Sequence, residues 1–455
     1  MLKRKLRNYL LSLTISFALV IIIIGILFIF NANQVSLSEF FDVLPNIIIQ
    51  LISRPLFWLI LSLPYLLILL IKFWIQGYRR GGFSKFGRRF SYSFIAPIFI
   101  IFLLAKVSTW YQTSEDFNYE WDQNAFNFSG ISNQAHQKDG KVRGMHVFGT
   151  RNLDSLELRK LTEGNIEHVI LVPYADQKDY NVPLSKLSEN RVHRRDSVYS
   201  QIIDFCKKSG IQVIVKPHVW IYDPSDGKWR GDIWMESEKD WQQWETNYTE
   251  FILTNARLSE KFNLPFFCIG NEFYLSTTRR PDYWKSLIKK VRKVYSGKLI
   301  YGANWDREYR EIEFWNELDY IGIQAYFPLV DQEYPEYEQV RDGWNTHLKE
   351  IQLVAEKFNK QVIFTELGYK STPDAAQYPW EWENYAENQF QPISNKTQVY
   401  CYQAFFEKVW NQKWFAGAMI WQWHSRDDGK TANHNFTPKG KPAFNEIARG
   451  FLSTR

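Results

Sequence analysis

Two glutamates, Glu272 and Glu366, sit in phrases that suit acid–base and nucleophilic chemistry. Gly270-Asn271-Glu272-Phe273 follows the apolar run Phe266-Phe267-Cys268-Ile269, and Phe364-Thr365-Glu366-Leu367 closes the run that starts at Val362-Ile363. Short apolar runs ended by glycine and polar residues read as buried strands of a parallel sheet. A carboxylate at the C-terminal end of such a strand lies where α/β barrels carry their chemistry. Two carboxyl groups facing one another across a barrel mouth are the minimum equipment for cleaving a glycosidic bond: one protonates the leaving oxygen and the other attacks the anomeric carbon. The chain has 49 acidic residues, so the elements that place these two must carry the argument.

From Lys141 onward, short apolar runs alternate with amphipathic stretches. The predicted strands are 142–148, 168–173, 212–217, 265–270, 299–303, 320–325, 361–365 and 416–421. Between them Trp284, Leu287, Val291 and Val294 recur at helical spacing, as do Val399, Tyr402, Phe406 and Val409, and Pro281 suits a helix start. Strands separated by helices imply βαβ units and a parallel sheet. Eight such units over residues 141–455 match a (β/α)8 TIM barrel. An open doubly wound sheet is disfavoured, because Gly144-Met145-His146-Val147-Phe148-Gly149 lacks the spacing of a phosphate-binding loop. The two glutamates then end the fourth and seventh strands.

That placement resembles clan A of the retaining glycosidases, with an acid/base on strand four preceded by asparagine and a nucleophile on strand seven. Within the clan the chain resembles glycoside hydrolase family 113, whose described members are β-1,4-mannanases. The resembling phrases are Lys216-Pro217-His218-Val219-Trp220, Trp229-Arg230-Gly231, Gly270-Asn271-Glu272-Phe273, Ile323-Gln324-Ala325-Tyr326, Phe364-Thr365-Glu366-Leu367-Gly368-Tyr369 and Trp421-Gln422-Trp423. The resemblance implies that Glu272 is the acid/base and Glu366 the nucleophile of a double displacement. It also implies that Asn271 binds the sugar 2-OH and that Tyr326 hydrogen-bonds the nucleophile. For a retaining enzyme the carboxyl groups are expected about 5–5.5 Å apart.

Further contacts follow from residue type. Trp421 and Trp423 alternate at the end of strand eight and are expected on one side of it, where a large rigid ring offers a floor for a sugar's C–H face. His218 and Trp305, at the ends of strands three and five, are candidate hydroxyl and stacking contacts. The insertion after strand three holds Trp220, Tyr222, Asp223, Asp226, Trp229, Arg230, Asp232 and Trp234, a mixture suited to a saccharide subsite wall. Several of the 19 tryptophans, including Trp241, Trp244, Trp284 and Trp410, have helical spacing and read as core. His424 and His434 flank Asp427-Asp428-Gly429 without a ligand pattern, so no metal is assigned, and no cofactor is implied. Cys206, Cys268 and Cys401 are too scattered for a zinc site or a disulfide framework.

The first 111 residues differ in composition. Three apolar segments, 10–30, 55–75 and 93–111, are predicted as transmembrane helices. Lys3, Arg4, Lys5 and Arg7 precede the first, and Arg79, Arg80, Lys85, Arg88 and Arg89 follow the second. By the positive-inside rule these clusters are cytoplasmic, which places everything after residue 111 on the extracytoplasmic side of the cell membrane. The clusters account for much of the net charge of +6, so a nucleic-acid partner is not required; the bilayer and an oligo- or polysaccharide are the expected partners. Residues 112–140 are polar and turn-rich and read as a tether, partly ordered through Trp121 and Phe126. The leading expectation is a membrane-anchored retaining β-glycoside hydrolase resembling an endo-β-1,4-mannanase. Its alternatives are a hydrolase or transglycosylase for another β-linked polymer such as an exopolysaccharide, and a non-catalytic carbohydrate-binding barrel.

Overall fold

The computed structural model describes residues 7, 9–17, 55–100, 102–103, 117–129, 135–150, 153–186, 188–382, 392–425 and 434–452. The chain divides into two compact units, Met1–Tyr111 and Gln112–Arg455.

In the first unit the longest helix among the described residues is Pro55–Phe90. It is broken at Gly81 and Gly82 by non-helical backbone and ends on Arg88 and Arg89. Among the described residues no helix is long and apolar enough to cross a membrane. The expected span 55–75 falls in this helix, which continues into a basic run from Lys72 to Arg89. Most of the first span, 18–30, and the end of the third, 104–111, lie outside the described residues. The expected membrane segment therefore finds no support in the structure.

The second unit is a closed parallel barrel. Its strands are β1 (Val142–Phe148), β2 (His168–Leu171), β4 (Gln212–Val215), β6 (Phe266–Asn271), β7 (Lys298–Asn304), β8 (Ile321–Gln324), β9 (Val362–Leu367) and β10 (Phe415–His424), closed in the order β1-β10-β9-β8-β7-β6-β4-β2. All eight predicted strands are present. The sequence reading missed a parallel pair just above the rim, β3 (Tyr174–Gln177) with β5 (His218–Ile221), which extends β2 and β4 past Pro173 and Pro217. Proline supplies no ladder N–H, so each extension restarts after its proline.

Alternation sorts the strand side chains into two layers. Val142, Ile170, Ile214, Ile300, Ile363 and Met419, from six different strands, pack together and fill the barrel interior. The opposite faces, among them Met145, Val169, Val213, Phe267, Ile323 and Phe364, join the helices in one large core. Helix Pro281–Arg292 buries Trp284, Leu287, Ile288 and Val291. Helices Glu238–Lys261 and Asn395–Lys408 are capped by the Ser237 and Ser394 hydroxyls, which accept from Asp240 N and Thr397 N, satisfying N–H groups that the first turn leaves unpaired.

Residues 117–128, within the expected tether, are ordered and dock on the barrel's last helix, Pro442–Leu452. Asp122 N donates to Asn445 Oδ1 (2.9 Å), Asn445 Nδ2 returns a bond to Asp122 O (2.9 Å), and Phe126 meets Phe444. Phe117, Tyr119 and Phe126 pack against the barrel's core, and burying their apolar surface favours the docked segment.

Candidate active site

Three strands carry an extra residue beside the site. Between Cys268 and Asn271, β6 uses three steps where β7 uses two, Ile300 to Gly302. On β9, Phe364 to Glu366 lies opposite the single step Ile323 to Gln324. On β10, Ile420 to Trp423 faces Met145 to Val147. Such bulges turn side chains to the other face. On β9 the consequence is direct: simple alternation from the inward Ile363 would send Glu366 out toward the helices, and the bulge brings it into the mouth.

The β6 bulge depends on Gly270, whose φ is +154°. A Cβ there would lie 2.4 Å from the Tyr248 hydroxyl, itself bonded to Ile269 O (2.9 Å). Glu272 follows in the left-handed region, φ +56°, with its N–H on Gly302 O (2.9 Å). For a non-glycine residue this conformation costs on the order of 1–3 kcal/mol and tends to mark functional sites.

Glu272 and Glu366 are both buried, at 5% and 3% exposure. Glu272 Oε1 accepts from Asn304 Nδ2 (3.0 Å), and Oε2 lies 3.2 Å from Arg230 Nε. Burial raises the Glu272 carboxyl above its ordinary value; Arg230 opposes this, and the Glu366 charge adds to it. Desolvation and a like charge both disfavour the carboxylate.

Glu366 is held differently. Tyr326 OH donates to Oε2 (2.8 Å) and Lys216 Nζ donates to Oε1. Lys216 is fully buried and also donates to Gln324 Oε1 (2.9 Å), with His218 Nε2 3.0 Å away. Burial, chiefly, and the Glu366 charge raise the Tyr326 phenol well above its usual range, so it remains a donor. Burial, reinforced by Lys216 and Arg230, pushes His218 well below the usual histidine range; its ring is neutral between two cations.

The expected residues separate into three groups. Glu272, Glu366, Tyr326, His218 and Trp421 converge on the mouth: the Trp421 ring lies parallel to His218 at 6.2 Å and packs with Tyr326 and Phe436. Asn271 is fully buried at the same level, and neither its Oδ1 nor its Nδ2 meets a protein partner among the described residues. Trp305 and the exposed Trp220 lie on the rim, Trp305 against the Trp421 cluster and Trp220 edge-on to Tyr174 (6.5 Å). Trp423 is the exception. Its Nε1 donates to Glu157 Oε2 (2.9 Å) and its ring packs on Phe444, between the barrel and helices Ser155–Glu163 and Pro442–Leu452. The β10 bulge breaks the alternation that would have kept it beside Trp421. Asp427 and Asp428 lie outside the described residues; among those described, no group of histidine, cysteine and carboxylate side chains is arranged to hold a metal ion.

The sequence reading gave no role to Lys216, Asn304 and Gln324, which form the hydrogen-bonded frame of the two carboxylates, nor to His146. His146 Nδ1 is 3.1 Å from Ile420 O and its ring meets Trp421 at 4.9 Å. Parity would have found them: Lys216 follows the inward Ile214 by two, and Asn304 follows Ile300 by four.

The sequence profile of Glycoside Hydrolase Family 113 matches residues 148–441. Two solved GH113 β-1,4-mannanase structures are similar to the chain at 27% and 26% identity, with TM-scores of 0.59 and 0.58. Each alignment spans 69% of this chain and 99% of the mannanase. A GH113 β-mannanase from Alicyclobacillus acidocaldarius in complex with ManMIm shares the fold at 23% identity and TM-score 0.58, over 69% of this chain and 98% of that one. No curated protein sequence matches the chain. Profile and barrel together establish that the chain belongs to glycoside hydrolase family 113.

Proposed function

We propose that the chain is a retaining β-glycoside hydrolase that cleaves a β-1,4-linked mannan-type polysaccharide through a covalent glycosyl-enzyme. The observation that carries this reading is the unequal treatment of the two buried carboxyl groups. Glu272 has its pKa raised, chiefly by burial, as a proton donor needs. Glu366 is clasped by the Lys216 ammonium and the Tyr326 hydroxyl, as an ionised nucleophile needs.

In the first step a Glu366 carboxylate oxygen attacks the anomeric carbon, the glycosidic C–O bond breaks, and the Glu272 proton passes to the departing oxygen. Forming the ester consumes the Glu366 charge, which is one of the influences raising Glu272. Glu272 then becomes more acidic and suited to accept a proton from water. That water attacks the anomeric carbon, the ester bond breaks, and the sugar leaves with its original configuration. Asn271, buried with unpaired polar atoms, is the contact proposed for the sugar 2-OH, and Trp421 is the proposed floor.

The mannan assignment draws on family membership and on the similar structures named as β-1,4-mannanases. Incubating the full chain with mannan, glucan, xylan and galactan tests it, and activity confined to the last three would remove mannan from the proposal. Glu272→Gln and Glu366→Gln should each abolish turnover, with azide restoring only the first on an activated aryl glycoside. Full activity of both variants would overturn the site. Anchoring at the membrane with the barrel outside is a further proposal, supported by the basic clusters at 3–7 and 79–89. Protease added to intact cells should degrade the barrel, and full protection would refute that placement.

A further inference from the structure

The loop after β9 holds large rings at the surface on a rigid base. Ala375 and Ala376 are fully buried. Ala376 O accepts from Leu329 N (2.8 Å), Pro373 O from Tyr334 N (3.1 Å), and Asp331 O from Gln377 Nε2 (2.8 Å). Beyond this base Tyr378 and Trp380 are each 38% exposed and Trp382 is 63% exposed. Trp380 stacks on Trp305 at 4.9 Å and 28°, and Tyr378 stands edge-on to Trp380 at 5.7 Å. Trp382 meets Trp421 at 5.8 Å and Phe436 at 5.7 Å. The rings thus continue without a break from the floor of the catalytic mouth to the outer rim. Exposed, contiguous apolar surface of this kind marks a binding surface more often than an idle one.

We infer that Tyr378, Trp380 and Trp305 form a distal saccharide platform, taking neutral pyranose units of the same chain whose glycosidic bond lies between Glu272 and Glu366. The inference rests on the glycosidase reading above. A sugar ring presents its axial C–H face to an aromatic ring, and the anchored loop has already lost the freedom that binding would otherwise remove. Continuity with Trp421 selects the occupant: a polymer long enough to fill the mouth must pass over these rings if it extends on this side. A short oligosaccharide confined to the mouth does not reach them.

The test is a binding titration in the full chain carrying Glu366→Gln, which leaves the sugar uncut. Mannohexaose, cellohexaose and mannobiose are titrated by calorimetry with and without Trp380→Ala, Tyr378→Ala or Trp380→Phe. Either alanine variant should weaken binding of whichever hexasaccharide binds by about tenfold, a factor that corresponds to 1.4 kcal/mol. Mannobiose binding should stay within about twofold, and Trp380→Phe should retain most of the hexasaccharide affinity. Equal losses for long and short sugars, no loss for either, or no binding of either hexasaccharide would overturn the platform. Failure of the glycosidase reading would register separately, as absence of turnover by the unmodified chain on any polysaccharide.

Discussion

Lys216, at the end of β4, donates to Glu366 on β9 from the diametrically opposite wall of the barrel. Both groups are almost fully withdrawn from water, and the ammonium's other contacts, Gln324 and His218, are buried with it. A buried ion pair is a poor source of net stability, yet removing one partner strands the other. Lys216→Met should therefore lower unfolding stability by about 3–5 kcal/mol and reduce kcat by at least about a hundredfold, since Glu366 loses its anchor. Adding Glu366→Gln should recover part of the stability, because no buried charge then remains unpaired. Denaturant midpoints of the two singles and the double close the cycle; strict additivity would show that the pair is not coupled.

Arg230 works against the raised Glu272 carboxyl, with Nε 3.2 Å from Oε2. It favours the ionised form, so its removal should make Glu272 easier to protonate. The acid form would then persist to higher pH, and the alkaline limb of the kcat/KM profile, which reports the free enzyme, should move up in Arg230→Gln. The height of the profile also reports any contact of Arg230 with substrate; the position of the limb does not. A limb that stays fixed or moves down would show that Glu272 does not set it.

Behind the site lies a carboxyl group that never touches substrate in this reading. Glu308 is fully buried and accepts from Tyr301 OH (2.7 Å), Thr277 OH (2.8 Å) and Asn304 N (2.7 Å). Burial nevertheless outweighs these donors and raises its pKa from 4.5 to about 7. A carboxyl raised by folding binds its proton more tightly in the native state. Its contribution is therefore fully present below pH 4.5 and is lost as pH climbs through about 7, a change on the order of 3 kcal/mol. The stability difference between the unmodified chain and Glu308→Gln should shrink across that window and level off above it. Urea midpoints from pH 4 to 8 would show this, and a difference independent of pH would contradict it. Because Glu308 also holds the backbone of Asn304, the donor to Glu272, a modest fall in kcat should accompany the substitution.

The barrel was legible because buried parallel strands are written as uninterrupted apolar runs: Val213-Ile214-Val215 and Phe266-Phe267-Cys268-Ile269 have few other readings. The extensions β3 and β5 were not, since Tyr174–Gln177 and His218–Ile221 are four residues each, partly exposed, and follow prolines. Glu272 and Glu366 stood out by position at the strand ends. Their partners did not, because Lys216, Asn304 and Gln324 are common surface residue types, identified only by inward parity. Trp423 was misread for a physical reason that no strand pattern contains: a bulge shifts alternation without changing composition. Partial order in 117–128 was legible from Trp121 and Phe126, but its docking face was not: Phe117, Tyr119 and Phe126 make the contacts to the barrel, while Trp121 stays exposed.

The separation of the two strand-eight tryptophans makes the last prediction a contrast between stability and turnover. Trp421 Nε1 is buried and meets no protein acceptor among the described residues, so Trp421→Phe breaks no hydrogen bond among them. Its cost should fall on the substrate: kcat/KM should drop by roughly tenfold or more through lost contact area, with little change in unfolding midpoint. Trp423 Nε1 donates to Glu157, which also binds Lys160 and Lys439. Trp423→Phe leaves a buried carboxylate oxygen short of a donor, at a cost of about 1–3 kcal/mol, while the mouth is untouched. Stability should therefore fall with kcat/KM unchanged. If instead both variants lose activity equally, the bulge does not divide the two rings in solution, and the floor of the mouth must be drawn from both.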